Sequence, residues 1–105
     1  MKRTKKKDRP EKLEGKTHRI ETNAGRLFLT VNRDKKGPFE VVVRIGKAGS
    51  DLSVLCEAVG RLVSLSLRHG IPVEHVVKQL SGVGGEMFIP TVPDAIGKVL
   101  EQGEA

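Results

Sequence analysis

A chain of 105 residues with 37% hydrophobic content can build one modest core and is too short for two domains. Its net charge of +6 is unevenly spread: residues 1–16 hold eight Lys or Arg against three acids, whereas residues 17–105 hold eleven against ten. The chain has no run of about 18 apolar residues to cross a bilayer and no apolar h-region behind its basic start. Its one cysteine, Cys56, excludes an internal disulfide and fits a reducing cytoplasm.

The first stretch, MKRTKKKDRP, has no apolar periodicity, and residues 1–16 are expected to form a disordered basic tail and linker ahead of a domain over 17–102. His18 to Thr22 alternates, Asn23-Ala24-Gly25 supplies a turn, and Leu27, Leu29 and Val31 repeat at period two, which reads as a hairpin. A polar loop, NRDKKGP, separates it from a third strand. There Phe39, Val41, Val43 and Ile45 share one face while Glu40 and Arg44 share the other. With no Trp, no Tyr and three Phe, the core must be aliphatic.

From Ser50 to His69 the period becomes helical. Glu57, Arg61, Ser64 and Arg68 form a polar stripe, with Leu52, Leu55, Val59, Leu62 and Val63 expected to lie opposite as the buried face. Ser50 or Asp51 can cap the start, and Gly70 with Pro72 supplies a stop. Val73, Val76, Val77 and Leu80 mark a second helix, and a glycine-rich connector, GVGGEMFIP, leads to a third that begins at Val92-Pro93-Asp94. Three strands followed by three helices predict an α+β fold, a three-stranded antiparallel sheet with the helices packed on one face.

Several segments invite a chemical reading. The strand-to-helix passage with Gly46, Lys47, Gly49 and Ser50 sits where phosphate loops sit. Val41 and Ala48 break the Walker pattern, which leaves at most anion contact with free amides at a helix start; a plain turn is the stronger reading. Gly82, Gly84 and Gly85 follow a helix rather than a strand and miss dinucleotide spacing. His18, His69 and His75 have no ligand spacing with Cys56, and Cys56, among apolar helix residues, reads as a buried structural thiol. Glu57, Arg61 and Arg68, with the loop at Lys47, are candidate partner contacts. Lys2, Arg3, Lys5, Lys6, Lys7 and Arg9 could contact a polyanion, but without Tyr or Trp to stack bases sequence-specific nucleic-acid binding is not expected.

The run RPEKLEGKTHRIETNAGRLFLTVNRDKKGPFEVVVRIGKAGS, then CEAVGRLVSLSLRHGIPVEHVVKQLSGV and PDAIGKVLE, resembles the TSCPD domain. That domain is found near the C-terminus of adenosylcobalamin-dependent, class II ribonucleotide reductases and in short stand-alone proteins. The resemblance implies that cysteines in the family's hairpin turn, long-helix start, second loop and Ser-Cys-Pro-Asp segment correspond here to Ala24, Asp51, Gly85 and Val92. Four thiols at such places would suit structural zinc or dithiol exchange; their joint replacement, with Ala24 and Val92 refilling the site by packing, implies a metal-free and non-catalytic module. The resemblance further implies a cytoplasmic accessory of a class II reductase system, with adenosylcobalamin expected only on a partner catalytic chain and no cofactor on this one. A small nucleic-acid-associated protein binding through its tail is the alternative.

Overall fold

In the computed structural model, which describes residues 4–85 and 88–103, the element order is β1 (Glu14–Thr22), β2 (Gly25–Asp34), β3 (Gly37–Ile45), α1 (Asp51–Arg68), α2 (Val73–Leu80) and α3 (Val92–Glu101). The strands form one antiparallel sheet in the order β1-β2-β3. Its inner face carries Leu27, Leu29, Val31, Phe39, Val41, Val43 and Ile45, all buried. The helices cover that face, with Cys56, Val63, Leu67, Val76, Val77, Val92, Ala95, Ile96, Val99 and Leu100 completing the core. Period-two alternation therefore does what it implies: Phe28, Val42 and Arg44 project from the opposite, exposed face. The architecture is the α+β arrangement expected from the order of elements.

Three local features depart from the sequence reading. The polar stretch from Asn32 to Pro38 is not a long loop: pairing continues through Asp34 and Gly37, with a bulge at Asn32/Arg33. Asp34 Oδ1 accepts the Lys36 N–H at 2.9 Å, a side chain folding back on its own turn, and Gly37 takes the φ of +133° that closes it. The first strand starts at Glu14, inside the segment read as linker.

The third departure concerns α1. Its buried residues are Cys56, Gly60, Val63 and Leu67; of the face expected from the sequence, Val63 is buried and Leu52 and Val59 pack partly buried against the core, whereas Leu55 and Leu62 are 65% and 64% exposed. Two things misdirect the pattern. The face against β3 uses small residues, and a Cβ on Gly60 would lie 2.9 Å from Val43 Cγ2, so the closest contact is made where hydrophobicity is weakest. Two members of the supposed outer stripe also turn inward: Ser64 Oγ accepts from Val41 N at 2.9 Å and donates to Val41 O at 3.1 Å, while Arg68 is held by the chain ahead of β1.

Candidate functional site

The loops that precede α3 are tied to one another by named bonds. Thr22 closes the β1–β2 turn, its Oγ1 donating to Gly25 O at 2.7 Å and accepting from Ala24 N at 3.2 Å. The neighbouring Asn23 N–H reaches across to Pro90 O at 2.9 Å. From the other side, the turn after α2 is fastened to the start of α3: Gly82 N–H donates to Asp94 Oδ1 at 2.8 Å, and Thr91 Oγ1 donates to Val83 O at 2.7 Å. Thr91 is the N-cap of α3, accepting from Asp94 N at 3.3 Å, one residue earlier than a helix opening on Pro93 requires. Gly84 packs so closely on Thr91 that a Cβ there would sit 2.6 Å from Thr91 Cγ2.

Three of the four aligned positions thus lie on segments that meet at the head of α3. Ala24 is in the turn bonded to Pro90, Gly85 follows the glycine against Thr91, and Val92 is the first residue of α3. Asp51 begins α1 beside its cap Ser50, and no bond links it to the other three. Val92 is 5% exposed and joins the core. Ala24, expected to pack, is exposed, as are Asp51 and Gly85. Among the described residues no three His, Cys, Asp or Glu side chains gather as a metal-binding group. Of the four aligned side chains, only Asp51 carries a donor atom, so this set does not fit a zinc ion.

The electrostatics here are structural. The Gly82 N–H, followed by Lys98 at 3.1 Å, outweighs burial and holds the Asp94 carboxyl below its ordinary range. The carboxylate thereby satisfies a donor of the preceding turn and lies at the positive end of α3. Cys56 is buried, and burial pushes its thiol up, the opposite of what a nucleophile needs.

The strand-to-helix passage is a plain capped turn. Ser50 N–H bonds Lys47 O at 3.0 Å, Ser50 Oγ accepts from Ser53 N at 3.2 Å, and Gly46 and Gly49 occupy positive φ. Glu57 and Arg61 are exposed and 3.9 Å apart. Arg68, grouped with them by sequence, instead sends Nε and Nη2 to Lys7 O at 3.1 and 2.9 Å and lies over the Phe39 ring at 5.3 Å.

The basic segment is likewise engaged from residue 4 onward. Lys7 N–H donates to Arg68 O at 2.9 Å, Lys7 Nζ pairs with Asp34 at 3.3 Å, and Arg9 forks onto both oxygens of Glu40 at 2.9 and 3.0 Å. The Arg9 hydrogen bond is the main reason that the Glu40 carboxyl falls below its usual range, against the effect of burial. Lys5 and Lys6 are exposed; Lys2 and Arg3 lie outside the described residues. Of the histidines, His69 Nδ1 is 2.6 Å from Thr4 Oγ1, His75 lines the groove between α1 and α2, and His18 Nε2 is buried without a partner among the described residues.

Sequence reasoning missed the surface of α1. Val54, Leu55, Leu62 and Leu65 are exposed at 54%, 65%, 64% and 44%, and beside them an apolar groove of about 370 Å³ is lined by Val59, Leu62, Val63, Ile71, Val76 and Leu80. The signal is a second apolar stripe at spacings of three and four, Leu55, Ala58, Leu62 and Leu65, of which Leu55 and Leu62 are the members expected in the core.

A three-stranded sheet covered on one face by three helices, with its loops meeting at the head of α3, defines a small α+β module. The chain matches the family model of the TSCPD domain over residues 2–103, nearly its whole length, and belongs to that family. Comparison with curated proteins and with solved structures found no match.

Proposed function

We propose that this protein is a non-catalytic module of an adenosylcobalamin-dependent ribonucleotide reductase system, acting in the cytoplasm with a catalytic partner. One observation carries the reading: the family match takes in residues 2–103; the resemblance also implies that the family's thiol positions are held here by Ala24, Asp51, Gly85 and Val92. Such a chain keeps a fold and loses a chemistry. Radical reduction of a ribonucleotide in the manner of that family needs several thiols, and Cys56 is one, buried and held protonated. Adenosylcobalamin belongs on the partner chain in this reading, and neither it nor zinc is assigned to residues here.

The experiment is affinity capture of the full-length protein from lysate of its source, with and without nuclease, at low and high salt. Recovery of a cobalamin-dependent reductase chain at high salt supports the reading. Recovery of nucleic acid alone, lost at high salt and on deletion of residues 2–9, supports the tail-binding alternative instead. That alternative is the weaker one because Lys7 and Arg9 already hold Asp34 and Glu40, so a polyanion would have to compete for them. Metal analysis of the purified protein is a separate check: stoichiometric zinc would overturn the metal-free assignment.

A further inference from the structure

The outward face of α1 is as regularly apolar as its buried face. Taking 100° per residue, Val54, Leu55, Ala58, Leu62 and Leu65 fall within about 60° of one line, opposite Cys56, Gly60, Val63 and Leu67 on the core side. Leu55, Ala58, Leu62 and Leu65 repeat at spacings of three, four and three, the period of a seam between two helices rather than of a solvated surface. At its middle is a small residue: Ala58, with Val54, Glu57, Arg61 and Leu62, lines a shallow depression of the kind that receives a facing leucine.

The charges beside this seam decide what covers it. Glu57 and Arg61 lie on the same flank, both largely exposed, and their mutual contact is loose at 3.9 Å. When two copies of α1 pack antiparallel about a two-fold axis near residue 59, the same flank of each helix meets its counterpart. Glu57 of one copy then faces Arg61 of the other, and the pair occurs twice. In the same register Val54 faces Leu65, and Leu62 lies over Ala58. A parallel pair would set this flank against the Val59 and Ser66 side, where neither residue carries a charge.

We propose that the α1 face is the interface of a homodimer, formed by antiparallel pairing of α1 with α1 of a second copy, its core Leu55, Ala58, Leu62 and Leu65 and its register set by reciprocal Glu57–Arg61 pairs. This inference does not depend on the reductase reading, since it concerns only the chain with itself.

Sedimentation equilibrium on the full chain at micromolar concentration tests it. The expected mass is about twice the 11.5 kDa of the chain. Leu62→Arg, placed on an exposed side chain, should return the mass to that of one chain with the circular dichroism and thermal midpoint of the folded monomer retained. Glu57→Arg or Arg61→Glu alone should weaken the dimer, and the double exchange should restore it. Ala58→Cys should cross-link under mild oxidation and Leu65→Cys should not, because the antiparallel register brings the two copies of residue 58 together and separates those of residue 65, whereas a parallel pair would join both. A wild-type chain that stays monomeric, whether or not another protein covers the face, overturns the proposal. So does a dimer that survives Leu62→Arg.

Discussion

Removing the hydroxyl of Ser64 tests how α1 is seated. β3 is an edge strand, and on an edge alternate residues turn N–H and C=O away from the sheet. At Val41 both groups are met by one side chain, Ser64 Oγ, at 2.9 and 3.1 Å. Ser64→Ala removes both bonds and adds no atoms. Each buried backbone group left without a partner costs about 1–3 kcal/mol, and because this site is only part-buried, water recovers some of that, leaving a loss of about 2 kcal/mol. For a domain of this size the corresponding fall in thermal midpoint is roughly 8–16 °C. Urea unfolding should show a lower midpoint at an unchanged slope, because the surface exposed on unfolding is the same. Ser66→Ala is the control: its hydroxyl donates to Leu62 O within the helix at an exposed position, and its loss should stay within about 0.5 kcal/mol. If Ser64→Ala matched that control, α1 would not be sealing the edge of β3, and the assignment of its inner face would be wrong.

Acid should destabilise the fold through three carboxylates. Hydrogen bonds from Gly82 and Lys98 lower Asp94, the Arg9 hydrogen bond lowers Glu40, and for Asp34 burial, the largest single effect, pushes up but is outweighed by Lys36, Lys7 and Gly37 together. Each folded pKa lies below the ordinary 3.8 or 4.5, so the stabilisation is fully present above that range and is lost as pH falls through the folded values; Asp94→Asn should flatten the acid limb of a stability-against-pH curve, and an unchanged limb would refute the assignment. Gly97→Ala would place a Cβ 2.6 Å from Ser81 Oγ and 3.0 Å from Ser81 N, and since backbone cannot yield as a side chain can, unfolding experiments should find a loss of about 1–3 kcal/mol. Cys56, buried and with its thiol pushed up, should react with a thiol reagent slowly in the native protein and rapidly in denaturant; fast native labelling would mean that α1 opens.

Much of the fold was legible because its signals are local. Alternation at Leu27, Leu29 and Val31 and again from Phe39 to Ile45 marks two strands and the face they bury, since strand geometry sends successive side chains to opposite sides whatever surrounds them. The same holds for the caps: Ser50, one of the two candidates with Asp51, heads α1, because a hydroxyl accepting an N–H three residues on is a contact within one turn. The candidate site was legible only in part. An apolar Val92 at the start of α3 reads as a packed residue and is buried, but that Ala24 stays exposed while its turn is bonded to Pro90 depends on where three loops meet.

The composition and period of this chain by themselves determined one domain, an aliphatic core, three strands before three helices, and a neutral body behind a basic segment. Tertiary structure alone decided which side of α1 is buried. That helix is apolar on two opposite faces, so its own periodicity is satisfied either way. The choice falls to β3, whose backbone needs Ser64 at its edge and whose Val43 leaves room only for Gly60. It decided equally the fate of the basic segment: charge predicts solvation, but Lys7 and Arg9 find Asp34 and Glu40 on adjacent strands, and Lys7 also meets Arg68 of α1 and Phe39 of β3. Contacts between residues this far apart in the chain leave no mark on either neighbourhood, and only the folded arrangement brings them together.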